Sequence, residues 1–166
     1  MKRICKTVAE IIVLIAVILA VIWFYQSVGF AERSDDTTEA YVLCADYVNV
    51  RPFPNRNGEP IGRLESGDTV HLDGKKRNGY RHIVDTGLES DGWVFAGYLV
   101  YDEPIRTNQS AVIVSKGRLA ARKYVKGRRT RWLKPLASVK VYWWSDEWCV
   151  TNCGYVQTKY LELEGE

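Results

Sequence analysis

Nucleophilic or metal-dependent chemistry beyond residue 40 would have to draw on Cys44, Cys149, Cys153, His71 and His82. A thiol nucleophile needs a base within about 3 Å and a third group that orients that base. His71 lies in the alternating run Thr69 to Leu72 and His82 in Arg81 to Val84, so both read as wall residues of strands. Cys44 closes the apolar run Tyr41-Val42-Leu43 and reads as a small buried hydrophobe. With no CxxC and no HExxH pattern, no metal, no cofactor and no catalysis are expected.

Cys149-Val150-Thr151-Asn152-Cys153 allows one further arrangement. Two strands joined by a three-residue loop would set Cys149 and Cys153 about 5.5 Å apart, within disulfide range. The pair is then either a local disulfide or two reduced thiols.

Binding chemistry is better represented. Residues 40–103 hold seven Lys and Arg against ten Asp and Glu, whereas residues 104–166 hold twelve against five, with no acid between Pro104 and Ser145. Arg128, Arg129 and Arg131 fall in the densest part of this stretch, beside Trp132, and Trp143, Trp144 and Trp148 follow. Candidate ligand-binding residues are therefore Arg128, Arg129, Arg131, Trp132, Trp143 and Trp144. Arginines would meet a polyanion and indole faces a sugar or peptide, unless the tryptophans sit between two packed units.

These residues belong to a chain of 166 residues, 46% hydrophobic and 26% charged, with a net charge of +3. Wholesale disorder is excluded by that composition, and the overall charge is too small to mark a nucleic-acid binder. Lys2, Arg3 and Lys6 precede an apolar run from Val8 to Phe30, interrupted only by a few polar residues. A helix of that length would be about 34 Å long, enough for the hydrocarbon core of a membrane. The flanking charges put everything after it outside the cytoplasm. Residues 1–31 thus read as a signal anchor or as a signal peptide cleaved after Ala31, followed by an acidic tether over 32–39. The expected location is the cytoplasmic membrane, single-pass, or the exterior if the leader is cut.

The remainder repeats itself. Gly92-Trp93-Val94 with Tyr98-Leu99 recurs as Gly154-Tyr155-Val156 with Tyr160-Leu161, and Val48-Asn49-Val50-Arg51 faces Leu119-Ala120-Ala121-Arg122. Short β-branched and aromatic runs are broken by Asn57-Gly58, Asp73-Gly74, Asn78-Gly79, Asp91-Gly92 and Cys153-Gly154, each a turn signal. The fold class is therefore all-β, two units at 40–103 and 110–166 with a linker over 104–109.

The first copy, with Val48-Asn49-Val50-Arg51, Ile61-Gly62-Arg63-Leu64, Gly67-Asp68-Thr69-Val70, Gly92-Trp93-Val94 and Tyr98-Leu99, resembles the bacterial SH3 domain, SH3b. The second resembles it less closely. That resemblance implies two small SH3-like five-strand barrels in tandem, with Gly67-Asp68 at a turn and Trp93 in the core. It also implies non-catalytic binding of peptidoglycan or an associated anionic wall polymer. The alternative is an envelope adaptor for a protein partner such as a hydrolase or a sensor. The membrane would be met through the N-terminal helix, and no nucleic acid is expected.

Overall fold

Alternation of buried and exposed residues carries the structure. In the strand Thr69–Arg77, Val70 and Leu72 point into a core, and in Ser138–Trp144 Val139 and Val141 do the same. Each such side chain removed from water stabilises the fold by about 1.5–3 kcal/mol. The computed structural model describes residues 37–85, 87 and 90–164. They contain fourteen strands and two 3-10 turns, and no α-helix occurs among the described residues.

The first half comprises β1 (Thr38–Val42), β2 (Tyr47–Val50), β3 (Gly62–Glu65), β4 (Thr69–Arg77), β5 (Tyr80–Val84), β6 (Gly92–Phe95) and β7 (Leu99–Val100). The second comprises β8 (Ile105–Ile113), β9 (Leu119–Arg122), β10 (Arg129–Leu133), β11 (Ser138–Trp144), β12 (Trp148–Thr151), β13 (Gly154–Gln157) and β14 (Leu161–Leu163). The strand orders match: β6-β5-β4-β1-β7 in one half and β13-β12-β11-β8-β14 in the other. In each, a further hairpin, β2-β3 or β9-β10, joins the sheet at one point, Arg51 to Trp93 and Arg122 to Tyr155.

Backbone hydrogen bonds repeat as well. Leu43 N donates to Tyr98 O and Val114 N to Tyr160 O, while Gly67 N donates to Val42 O and Leu136 N to Ile113 O. The 3-10 turns Ala96–Tyr98 and Thr158–Tyr160 occupy matching places before β7 and β14. Each half has its own core, one around Val42, Val50, Val70, Ile83 and Val94, the other around Ile113, Ala121, Val141, Cys149 and Val156.

A third cluster joins the halves: Leu43 and Val100 pack with Val125, Trp148, Val150 and Tyr155. Tyr155 Oη donates to Leu43 O at 3.0 Å, and Val125 N to Gly97 O at 2.9 Å. The described residues from Thr37 onward are accordingly one compact unit.

Several expectations need correction. Thr38 and Glu39, assigned to the tether, pair with Leu72 and His71 in the sheet. Residues 105–109, assigned to the linker, open β8 and pair with β11 from Ile105 to Gln109, because β-sheet hydrogen bonding is available there to an otherwise unpaired backbone. Asp73-Gly74 makes no hairpin turn but sits where β4 shifts register between Leu72 and Lys76, whereas Asn78-Gly79 does turn the chain, with φ of 51° and 79°. Trp93 is half-buried and meets the His82 ring at a tilt of 60° with centroids 4.9 Å apart; the core position in β6 goes to Val94. The expected anchor over residues 1–31 and residues 32–36 of the tether lie outside the described residues. Among the described residues no helix is long and apolar enough to cross a membrane.

Candidate functional site

The first half carries a cleft of about 340 Å³ whose wall is completed by the second. Tyr47 and Asn49 come from β2, Arg51 from the position just after it, Arg56 from the loop that follows, Tyr80 from the start of β5, Phe95 from the end of β6 and Tyr98 from the following turn; Lys123 and Tyr124 arrive from the segment after β9. Topology alone brings these residues together.

Aromatic edges build the floor. Phe95 meets Tyr80 at 5.5 Å, Tyr98 at 6.0 Å and Tyr124 at 4.9 Å, each in an edge-to-face arrangement. Tyr124 is held in place by glycines on both sides: a Cβ at Gly97 or at Gly127 would stand 2.5 Å from its ring. At the opposite wall the Arg63 guanidinium lies over the Tyr47 ring at 4.4 Å.

Charge is one-sided. Arg51, Arg56 and Lys123 line the cleft and, among the described residues, no carboxylate does, although the half that contains most of it has more acids than bases. Arg51 is partly committed, because its Nη1 donates to Arg56 O at 3.1 Å and Gly58 O at 3.0 Å and so fixes the loop. Arg56 and Lys123 are exposed. Burial pushes the Tyr98 phenol above its ordinary pKa, against the opposing pull of Arg56. Asn49 Oδ1 is buried and meets no donor among the described residues.

Such a surface can grip an anionic or amide-bearing chain; it offers no nucleophile and base in reach of one another. Cys44 is buried, with Sγ donating to Asp46 O at 3.5 Å, and burial lifts its thiol to about 11. His82 Nδ1 lies 2.9 Å from Asp73 Oδ2, away from the cleft. Among the described residues no group of three or more His, Cys, Asp or Glu could hold a metal.

The residues singled out from sequence are distributed over three places. Arg128, Arg129, Arg131 and Trp132 lie on or beside β10, the outermost strand of its sheet, with all three arginines exposed and Trp132 49% exposed. Arg129 stacks on Trp132 at 4.4 Å. Trp143 and Trp144 are on β11, separated from β10 by β9, β13 and β12, so they share no groove with the arginines. Trp143 packs in the cluster between the halves, close to Gly67, and Trp144 against the second core. Trp148 is buried in the joining cluster.

Cys149 and Cys153 form no disulfide. The hairpin turns at Asn152-Cys153, with Gly154 at φ 113°, so Cys149 faces Val156 and Cys153 lies in the turn itself. Cys149 is buried beside Thr158 Oγ1 at 3.2 Å, and burial raises its thiol to about 12.

Sequence reasoning missed Tyr47, Tyr80, Phe95, Tyr98 and Tyr124 as a set. The available signal was the repeated Tyr-Leu at Tyr98 and Tyr160, which marks the turn that presents Tyr98.

No protein-family model matches the sequence, and no curated protein matches it. Among solved structures the chain is similar to NlpC1 from Trichomonas vaginalis, at 17% identity and a TM-score of 0.35, over 77% of this chain and 46% of that one. It is similar to NlpC2 from the same organism at 16% identity and a TM-score of 0.35, over 77% of this chain and 48% of that one. The chain spans less than half the length of either protein.

Proposed function

We propose that the chain is a non-catalytic cell-envelope protein that presents two SH3b-like barrels to peptidoglycan, held at the membrane by residues 1–31. The repeated strand order supports two copies of one small unit. One observation carries the binding function: an aromatic cleft with three cations and no carboxylate, set in a half that is otherwise acidic. A local excess of one sign of charge against low-dielectric aromatic walls selects an anionic ligand. Carboxylate-bearing peptides on a glycan chain have the required chemistry, with their carboxylates at Arg56 and Lys123 and their apolar parts on Phe95 and Tyr98.

Co-sedimentation with purified sacculi tests this. The native chain should pellet at low salt, and the double variant Arg56→Glu, Lys123→Glu should bind about tenfold or more weakly, since each reversal places like charges together. A native chain left in the supernatant at low salt overturns the proposal.

A further inference from the structure

Beside the cleft runs a second cationic element that shares only Lys123 with the peptide reading. Lys123 lines the cleft, and its backbone N–H donates to Arg128 O at 3.0 Å, which fixes Arg128 next to it. Arg129 then pairs with Arg122 and Arg131 with Ala121 across the hairpin. Arg122 itself is turned inward, its Nη1 donating to Gly127 O at 2.7 Å. A row of exposed cations, Lys123, Arg128, Arg129 and Arg131, therefore starts at the rim of the cleft and follows the outermost strand.

No carboxylate neutralises this row among the described residues. The nearest ion pair in sequence, Lys126 with Glu147, is 3.9 Å long and exposed at both ends. Arg129 is pre-organised by its stack on Trp132, and the Arg131 Nη1 approaches Cys153 Sγ at 4.0 Å, a contact that leaves its charge uncompensated. Addition of a peptide strand to β10 is disfavoured by the register shift between Arg129 and Arg131 and by the charges themselves. The planar fork of a guanidinium matches a phosphate in two parallel hydrogen bonds, and three arginines with one lysine suit a chain of such groups better than a single one.

We infer that β10 and the Lys123–Arg128 contact bind the phosphodiester groups of an anionic wall polymer, beside the peptide held in the cleft. This rests on the envelope reading above but on a surface that shares only Lys123 with the cleft.

The experiment uses the full chain in mild detergent and two preparations of sacculi, one intact and one extracted with hydrofluoric acid to remove phosphodiester-linked polymers. Binding should be about tenfold tighter to the intact preparation, with a steeper fall in log affinity against log salt, because each phosphate neutralised releases counterions and adds roughly 0.7–0.9 to the slope. The variant Arg128→Ala, Arg129→Ala, Arg131→Ala should bind both preparations equally, at the level of native protein on extracted sacculi. The corresponding triple lysine variant, which keeps charge without the fork, should fall between. Equal native affinity for the two preparations overturns the inference, as does full competition by poly-glutamate, a carboxylate polymer. Binding to extracted sacculi separates the two claims: its absence removes the peptide reading, whereas its presence without a difference between preparations removes only the phosphate site.

Discussion

Arg51 and Arg122 do the same work in the two halves: each sends Nη1 to a carbonyl five residues along the chain, Arg56 O at 3.1 Å and Gly127 O at 2.7 Å. Each also makes the bridge to the main sheet, Arg51 to Trp93 just after β2 and Arg122 to Tyr155 at the end of β9. The first bond is exposed and the second partly buried. Hydrogen bonds to a charged group contribute about 1.5–3 kcal/mol where burial strips water from the acceptor. Arg122→Ala should therefore lower the urea midpoint clearly, and Arg51→Ala by less than half as much. Equal losses would show that burial does not set the difference.

Leu136 stands where the first half has Gly67. Its φ is 61° against 96° for Gly67, and both amides reach equivalent carbonyls at 2.9 Å. A leucine in the left-handed region is strained by about 1–2 kcal/mol, part of which glycine gives back in chain entropy. Since Leu136 is 80% exposed, little burial is lost, and Leu136→Gly should stabilise the protein by about 0.5–1 kcal/mol on denaturant unfolding.

Gly97→Ala should do the opposite. Its Cβ would meet Tyr124 at 2.5 Å and Phe95 at 2.7 Å, closer than real Cβ contacts allow. Overpacking of this kind costs about 1–3 kcal/mol, and the cleft wall would shift with it. Both the unfolding midpoint and sacculus binding should drop. Gly117→Ala, with open space around its Cβ, is the control and should leave both unchanged.

Acid should weaken the β4–β5 region through Asp73. Burial opposes ionisation there, but hydrogen bonds from Lys75, at 2.7 Å from Nζ and 3.1 Å from the backbone, and the His82 contact at 2.9 Å outweigh it and hold the carboxyl below its ordinary 3.8. A folded-state pKa below the unfolded one gives stability that is complete above 3.8 and disappears as pH falls through the lowered value. Urea midpoints taken from about pH 6 to about pH 2 should fall less steeply for Asp73→Asn than for the native chain.

Alkylation should discriminate among the thiols. Cys44 and Cys149 are buried and lifted to about 11 and about 12, whereas Cys153 is half-exposed in its turn. Because the thiolate is the reactive form, iodoacetamide at about pH 8 should label Cys153 alone of these three in native protein and all three in denaturant. Peptide mapping by mass reads the outcome; protection of Cys153 would contradict the hairpin geometry.

The repeat was legible because Gly-aromatic-Val and Tyr-Leu mark fixed points of the backbone, namely the strand that meets Arg51 or Arg122 and the turn ahead of the last strand. Alternation in Thr69 to Leu72 and Ser138 to Val141 announced the cores. The cleft was not legible, since Tyr47, Tyr80, Phe95, Tyr98 and Tyr124 have no common spacing and meet only through strand pairing and the docking of the second half. Tryptophan abundance misled for a related reason: Trp143 and Trp148 are consumed by the surface that joins the halves. The cysteine pair turned on where the chain reverses: the turn falls at Asn152-Cys153 instead of over Val150 to Asn152, so Cys149 pairs with Val156, three residues beyond Cys153.

Where the first half keeps Asn49 and Arg56 at the cleft, the matching stations in and after β9 hold Ala120 and Gly127, and it is Tyr124 that crosses to the neighbour's wall. The first half thus supplies most of the cleft, and the second closes it with an aromatic ring. The first half transplanted by itself would carry a cleft open on one side.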